Sequence, residues 1–221
     1  MKRYVVAVDQ STSAGKVFLV DSDGVIARRF SKPHRQSYPH PGYAEQDAEE
    51  IWQNVREGIA AVCDGLVPGQ LAALGISNQR ETTVFWQRDT GKPVRPAVGW
   101  QDVRAEALCR AMSAEADAVR ARTGLRLSAY YPAAKAAAVL REDASLAARV
   151  GRGELCIGTV DAYLVYRLTG GRVLRTDVSN AGRTQLMELR ARRWDDDLCA
   201  LFGIPRACLP EITPSDGDFG R

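Results

Sequence analysis

Asp9 closes a short apolar run and is followed directly by Gln10, Ser11, Thr12 and Ser13, so a carboxylate stands beside a turn dense in hydroxyl and backbone N–H donors. Such a set suits a metal–phosphate group, with the turn wrapping phosphate oxygens while the carboxylate holds magnesium through water. A strict P-loop is excluded: Gly15-Lys16 is followed by Val17 instead of Ser or Thr, Gln10 stands where the first glycine belongs, and a strand follows where a helix should. An ordinary polar hairpin turn would carry the same residues. A second cluster, Gln79-Arg80-Glu81-Thr82, lies just past the apolar run Leu71 to Ile76, at the kind of strand end where α/β sheets place ligands. Arg80 and Glu81 pair fixed donors with a carboxylate acceptor, the combination that holds neighbouring hydroxyls of a polyol. As a surface ion pair the two would contribute little. Trp100 and Tyr130 could each cover the C–H face of a carbohydrate while keeping a polar N–H or O–H, and either could equally be core.

The elements that must position these residues are legible in the hydrophobic pattern. Tyr4 to Val8, Lys16 to Val20 and Val25 to Phe30 read as three strands of an antiparallel meander, with Asp21-Ser22-Asp23-Gly24 as a tight turn. Asp47, with Glu50 three residues on, opens a helix whose Ile51, Val55, Ile59 and Val62 share one face. Leu71 to Ile76 reads as a buried strand and Thr83 to Trp86 as another, with Pro68-Gly69 and Thr90-Gly91 as breaks. Helix is expected over Gln101 to Thr123 with an interruption near Ser113, and again over Ala133 to Leu140 and Ser145 to Val150. Strands and helices mixed in this way give an α/β domain with a mixed sheet.

Thirty Lys and Arg against 27 Asp and Glu leave a net charge of +3, too small an excess for a phosphate-backbone stripe, so nucleic acid is not an expected partner. No window approaches the roughly 18 apolar residues of a spanning helix, and Tyr4 to Val8 is too short for a signal-peptide core. A cytoplasmic protein without a membrane partner is the expectation. Cys63, Cys109, Cys156, Cys199 and Cys208 show no metal or redox spacing and read as reduced core residues, and His34 and His40 as loop histidines.

The order and wording of these segments resemble the FGGY carbohydrate kinases, the glycerol kinases among them most closely. The matching blocks include Asp9-Gln10-Ser11-Thr12-Ser13, Tyr38 to Asp47, Glu50-Ile51-Trp52, Gly75 to Thr83 and Thr90-Gly91-Lys92-Pro93. They continue through Trp100-Gln101-Asp102 with Arg104, Thr123-Gly124-Leu125, Gly158-Thr159 with Asp161, Leu168 to Gly171, Thr176-Asp177, Ser179-Asn180-Ala181, Arg183-Thr184 and Trp194-Asp195. The resemblance spans essentially the whole chain. It implies an actin-like, ribonuclease H-like ATPase fold with a mixed sheet flanked by helices, residues 1–221 forming the N-terminal domain. It also implies a partner: a C-terminal domain beyond this chain, supplying most of the adenine pocket and the general-base aspartate, so no catalytic base is expected here. By position, Thr12, Ser13 and Lys16 would contact ATP, Asp9 would serve Mg2+, and Arg80, Glu81, Trp100 and Tyr130 would bind the small polyol or sugar. The reaction implied is γ-phosphoryl transfer from ATP to a hydroxyl, most simply of glycerol, with this half inactive alone.

Departures qualify the acceptor and the phosphate turn. Ser11 replaces a usual glycine, Ala14 and Gly15 replace serines, Lys16 replaces an arginine, and Ala136 and Ala138 stand where a larger apolar residue and a tryptophan are expected. A kinase for another sugar, such as a pentulose, and a stand-alone non-catalytic polyol-binding module are therefore the alternatives. Homo-oligomer formation is left open.

Overall fold

A computed structural model describes residues 3–220. Within the stretch read as one domain, the chain forms two compact units, Met1–Gln36 with Gln46–Gln79, and Ser37–Glu45 with Arg80–Arg221.

The first unit opens with the expected meander, β1 (Tyr4–Gln10), β2 (Ala14–Asp21) and β3 (Ile26–Pro33). Two-residue strands, β4 (Gln36–Ser37) and β5 (Glu45–Gln46), mark where the chain leaves this unit and returns; α1 (Ala48–Cys63) and β6 (Leu71–Asn78) complete it. The sheet order is β3-β2-β1-β6, with β6 parallel to β1 and the other pairs antiparallel. Gly24, at φ +80, supplies the left-handed residue of the first turn, while Asp21 Oδ1 accepts from the amides of Asp23 and Val25. Asp47 caps α1, accepting from Glu49 N and Glu50 N at 2.8 and 3.3 Å. The reciprocal half of a capping box is not made with the cap: Glu50 Oε2 instead accepts from the Arg35 amide. Val6, Val8, Val17 and Leu19 from the sheet and Ile51, Val55 and Val62 from α1 are buried, and Ile59 is half-buried. A Cβ on Gly58 would lie 2.6 Å from Val17 and 2.7 Å from Phe30, so only glycine lets α1 approach the sheet this closely.

One strand departs from expectation. Leu71 to Ile76 is not buried: Leu71, Ala72, Ala73 and Gly75 are exposed, because β6 is the edge of the sheet and small residues let an apolar run tolerate water.

In the second unit the sheet runs β4-β5-β8-β7-β9, with β7 (Thr83–Gln87), β8 (Ala97–Val98) and β9 (Leu155–Thr159), and β7 pairs antiparallel with β9. Helices α2 (Glu106–Ala111) and α3 (Ala116–Thr123) replace the predicted long helix, broken by a 3-10 turn at Ser113–Glu115 as its interruption foretold. Helix α4 (Pro132–Glu142) is buried from Pro132 to Leu140, so alanines on every side let it sit inside the core with Phe85, Leu155, Ile157 and Phe202. Ala136 and Ala138 are both buried, and Ala136 borders a small cavity of about 20 Å³, so the space of the larger residue expected there is only partly refilled. Cys156, Cys199 and Cys208 are buried and Cys63 and Cys109 half-buried, all as free thiols.

Candidate active site

In the first unit, the β1–β2 turn is held from behind by its carbonyls. Ser11 N and Oγ both donate to Ala14 O at 3.0 Å, which closes the turn and gives the serine at this position a structural use. Neither Ser11 nor its neighbours in the turn adopts positive φ, so no glycine is needed there. Gln10 Nε2 donates to Ser11 O at 2.7 Å, Gln46 Nε2 to Thr12 O at 2.7 Å, and the His34 amide to Ser13 O at 3.1 Å. His34 Nε2 also meets Thr12 O at 2.9 Å, which makes that nitrogen the protonated one, since a carbonyl only accepts. Burial pushes the His34 pKa down, so the ring is neutral at pH 7, and its Nδ1 is buried without a partner. A trans peptide points its N–H opposite to its C=O, so anchoring three successive carbonyls turns the following amides away from these side chains. Gln79 ties the supports together, donating through Nε2 to Gln46 Oε1 at 2.7 Å and Gln10 Oε1 at 3.2 Å.

Asp9 and Lys16 face each other across β1 and β2, Nζ to Oδ2 3.4 Å, each side chain about two-fifths exposed (43% and 42%). Thr12 is half-buried and Ser13 exposed. Among the described residues there is no group of three His, Cys, Asp or Glu side chains that would cage a metal directly. A single accessible carboxylate beside oriented amides instead fits magnesium that keeps most of its waters and shares phosphate oxygens.

The second unit gathers a different cluster. Glu81 is buried, and its Oε1 accepts from Arg183 Nε at 2.7 Å. The Arg183 guanidinium lies 5.1 Å from the Tyr131 ring centre and 5.9 Å from that of Tyr130. Burial alone would lower the Arg183 pKa; the hydrogen bond and charge of Glu81 outweigh it and hold the group above its ordinary value. Trp100 and Tyr130 meet edge-to-face at 5.9 Å, and Tyr130 and Tyr131 at 5.2 Å. Trp100 and Tyr130 border an open cleft of about 670 Å³ shared with Gln101, Glu106 and Ser128. Burial raises the Tyr130 hydroxyl pKa, so the phenol keeps its proton.

Two buried groups hold this arrangement. Asp102, with no exposed surface, accepts from Ala44 N at 2.7 Å and from Arg104 Nε and Nη2 at 2.9 and 2.8 Å. Arg104 continues to Glu45 at 2.7 Å and stacks 4.1 Å from the Tyr43 ring centre, so the Tyr43-Ala44-Glu45 motif clamps the loop carrying Trp100. Lys135 is completely buried on α4, donates through Nζ to the Tyr130 carbonyl, and lies 5.5 Å from that ring's centre. Burial pushes its pKa down to about 7, against the opposing pull of Asp102 and Glu81.

A family model described as the FGGY family of carbohydrate kinases, N-terminal domain, matches residues 4–221. The chain belongs to this family. A glycerol kinase of Xanthobacter autotrophicus is 44% identical over 224 residues, covering all of this chain and 45% of that protein. An apulose kinase of Pectobacterium atrosepticum is 45% identical over 219 residues, covering 98% of this chain and 44% of that protein. The crystal structure of Plasmodium falciparum glycerol kinase with ADP superposes with a TM-score of 0.92 at 32% identity, over 99% of this chain and 44% of that one. The FGGY chain thus spans a little under half the length of the curated relatives it matches. The fold is the actin-like, ribonuclease H-like one expected of the family, and among the described residues no helix is long and apolar enough to cross a membrane.

Of the residues singled out in the sequence, this FGGY structure brings Asp9, Thr12, Ser13 and Lys16 together at the hairpin, and Glu81, Trp100 and Tyr130 together in the second cluster. Arg80 is exposed and forms no ion pair with the described residues; the partner of Glu81 is Arg183, 102 positions away. Sequence reasoning missed the functional placement of Arg183, Lys135, His34 and Gln46. Arg183 sits in a block shared with FGGY kinases, but nothing local in the chain ties it to Glu81. His34, read as a loop histidine, is indeed in a loop, yet it is buried and anchors the turn.

Proposed function

We propose that this chain is the N-terminal, acceptor-gripping domain of a kinase that transfers the γ-phosphoryl group of ATP to a primary hydroxyl of a polyol, glycerol first among them. The observation that supports it best is the convergence of a buried carboxylate, an arginine and two edge-on aromatic rings from four separated segments: Glu81, Arg183, Trp100 and Tyr130. A polyol offers two things to grip, hydroxyls for charged hydrogen-bonding groups and a C–H face for rings, and this cluster offers both.

In this reading Glu81 and the exposed Arg80 orient the acceptor hydroxyls while Trp100 and Tyr130 cover its carbon face. Thr12, Ser13 and the amides of the β1–β2 turn hold ATP phosphates, with Lys16 adding charge, and Asp9 holds magnesium through water. Magnesium, when bound, would neutralise the phosphate oxygens. Catalysis is then mostly positioning and charge compensation by groups already in place. The general-base aspartate and most of the adenine pocket belong to a C-terminal domain, so the 221-residue chain alone turns over no acceptor. The apulose kinase relative, as similar as the glycerol kinases, favours a sugar as the second acceptor to consider.

The test is a coupled ATP assay on the full-length protein with glycerol, apulose and a panel of pentuloses. Glycerol is expected to give the highest kcat/KM, and Glu81→Ala to abolish it. Turnover of no polyol or sugar, or full turnover by the isolated 221 residues, would sink the proposal.

A further inference from the structure

We infer that Arg183 is a positioning residue for the acceptor, setting the direction of both Glu81 and Tyr130; this rests on the reading that those two residues grip the acceptor. Glu81 has two carboxylate oxygens, and Arg183 Nε takes Oε1, which fixes the carboxylate plane and leaves Oε2 to meet a hydroxyl. The same guanidinium lies 5.9 Å from the Tyr130 ring centre and 5.1 Å from that of Tyr131, so one planar group packs against an acceptor-facing carboxylate and an acceptor-facing ring at once.

The backbone around Arg183 is built to deliver that side chain. Asp177 caps the turn Val178–Ala181, accepting from Asn180 N at 2.7 Å, and Arg183 N donates to Asn180 O at 2.9 Å. Thr184 O then accepts from Ala133 N in the first turn of α4, the helix that follows Tyr130 and Tyr131 directly, so the arginine and both rings share one frame. Two residues on, Gln185 sits at φ +65, a left-handed conformation that costs a non-glycine residue energy, fully buried with its Nε2 donating to Arg126 O. A segment held so firmly places Arg183 with little freedom.

The experiment is a double-mutant cycle in the full-length protein, using Arg183→Met, Arg183→Lys, Glu81→Gln and Glu81→Gln/Arg183→Met, with glycerol KM, ATP KM, kcat and melting temperature as readouts. Arg183→Met is expected to raise glycerol KM about tenfold or more and ATP KM by less than about twofold. Arg183→Lys keeps the charge but not the planar fork and falls between, about threefold above wild type. In the Glu81→Gln background, Arg183→Met should add less than about threefold, because its partner is already neutralised. The inference is overturned if Glu81→Gln raises glycerol KM while Arg183→Met does not, if the two effects multiply in full, or if Arg183→Met raises both KM values in step with a fall in melting temperature. A glycerol KM indifferent to both single substitutions overturns the acceptor site itself, and this inference with it. Should Arg183→Met fail to fold, Arg183→Lys takes its place in the cycle, and an unchanged glycerol KM there overturns the inference.

Discussion

In the proposed reading, the hairpin of the first unit and the cluster of the second would hold a polar ligand by opposite means. In the hairpin the working groups are contiguous, Asp9 to Lys16, and their supports are neutral: Gln10, His34, Gln46 and Gln79 orient peptide dipoles without adding charge. In the cluster the proposed working groups come from residues 81, 100, 130 and 183, and the supports are charged, with Asp102 and Lys135 buried and Arg104 and Glu45 largely so. Backbone groups suit a ligand recognised by many equivalent oxygens, as phosphate is. Fixed side chains suit one whose hydroxyls must be told apart.

The comparison breaks most readily at Asp102. Removing its carboxylate leaves the Ala44 amide and the Arg104 guanidinium without their shared acceptor in a dry site, so Asp102→Ala should cost about 3–5 kcal/mol in urea unfolding. Glycerol KM should rise with it, through the loosened Trp100 loop, while ATP KM stays put in whatever fraction folds. A loss below about 1 kcal/mol would mean that the clamp is a surface-type ion network.

Gln46→Ala tests the other side. It deletes one donor to the Thr12 carbonyl and one acceptor for Gln79, a loss of about 1–2 kcal/mol in turn orientation, so ATP KM should rise roughly five- to thirtyfold with glycerol KM almost unmoved. Equal changes in both constants would show that the two regions are not separately supported.

This contrast also explains how much was legible in the sequence. The hairpin could be read because its chemistry is continuous in the chain: a carboxylate, three hydroxyls and a lysine between two apolar runs. Its supports could not, since a glutamine at position 46 or a histidine at 34 carries no mark of what its side chain will meet. The meander, α1 and α4 followed from periodicity and alanine content, whereas β6 was misread as buried because an apolar run of small residues looks the same at an edge as in a core. In the second cluster residue types singled out Glu81, Trp100 and Tyr130, which the fold gathers in space, but adjacency suggested Arg80 as the partner of Glu81. Pairing in space is decided by the loop after Asp177, and no local pattern announces it.

Lys135 gives the finest test, because its titration should be felt in stability and not in glycerol binding. Its pKa is about 7 when folded and near 10.4 when unfolded, so between those values the unfolded chain binds the extra proton and stability rises with pH. Below pH 7 both states are protonated and the burial penalty is present in full. The groups facing the amine are Asp102, Glu81, Arg104 and Cys109, and burial pushes the Cys109 thiol upward. From pH 7.5 to 9, then, wild type should gain on Lys135→Met by up to about 1.4 kcal/mol per pH unit in urea unfolding. The bond from Nζ to the Tyr130 carbonyl survives deprotonation, since a neutral amine still donates. Glycerol KM of the wild type should therefore show no inflection near pH 7, even as stability changes. A stability difference that stays flat across that window would place the Lys135 proton in solvent, and the buried-charge half of the comparison would have to be redrawn around Asp102 alone.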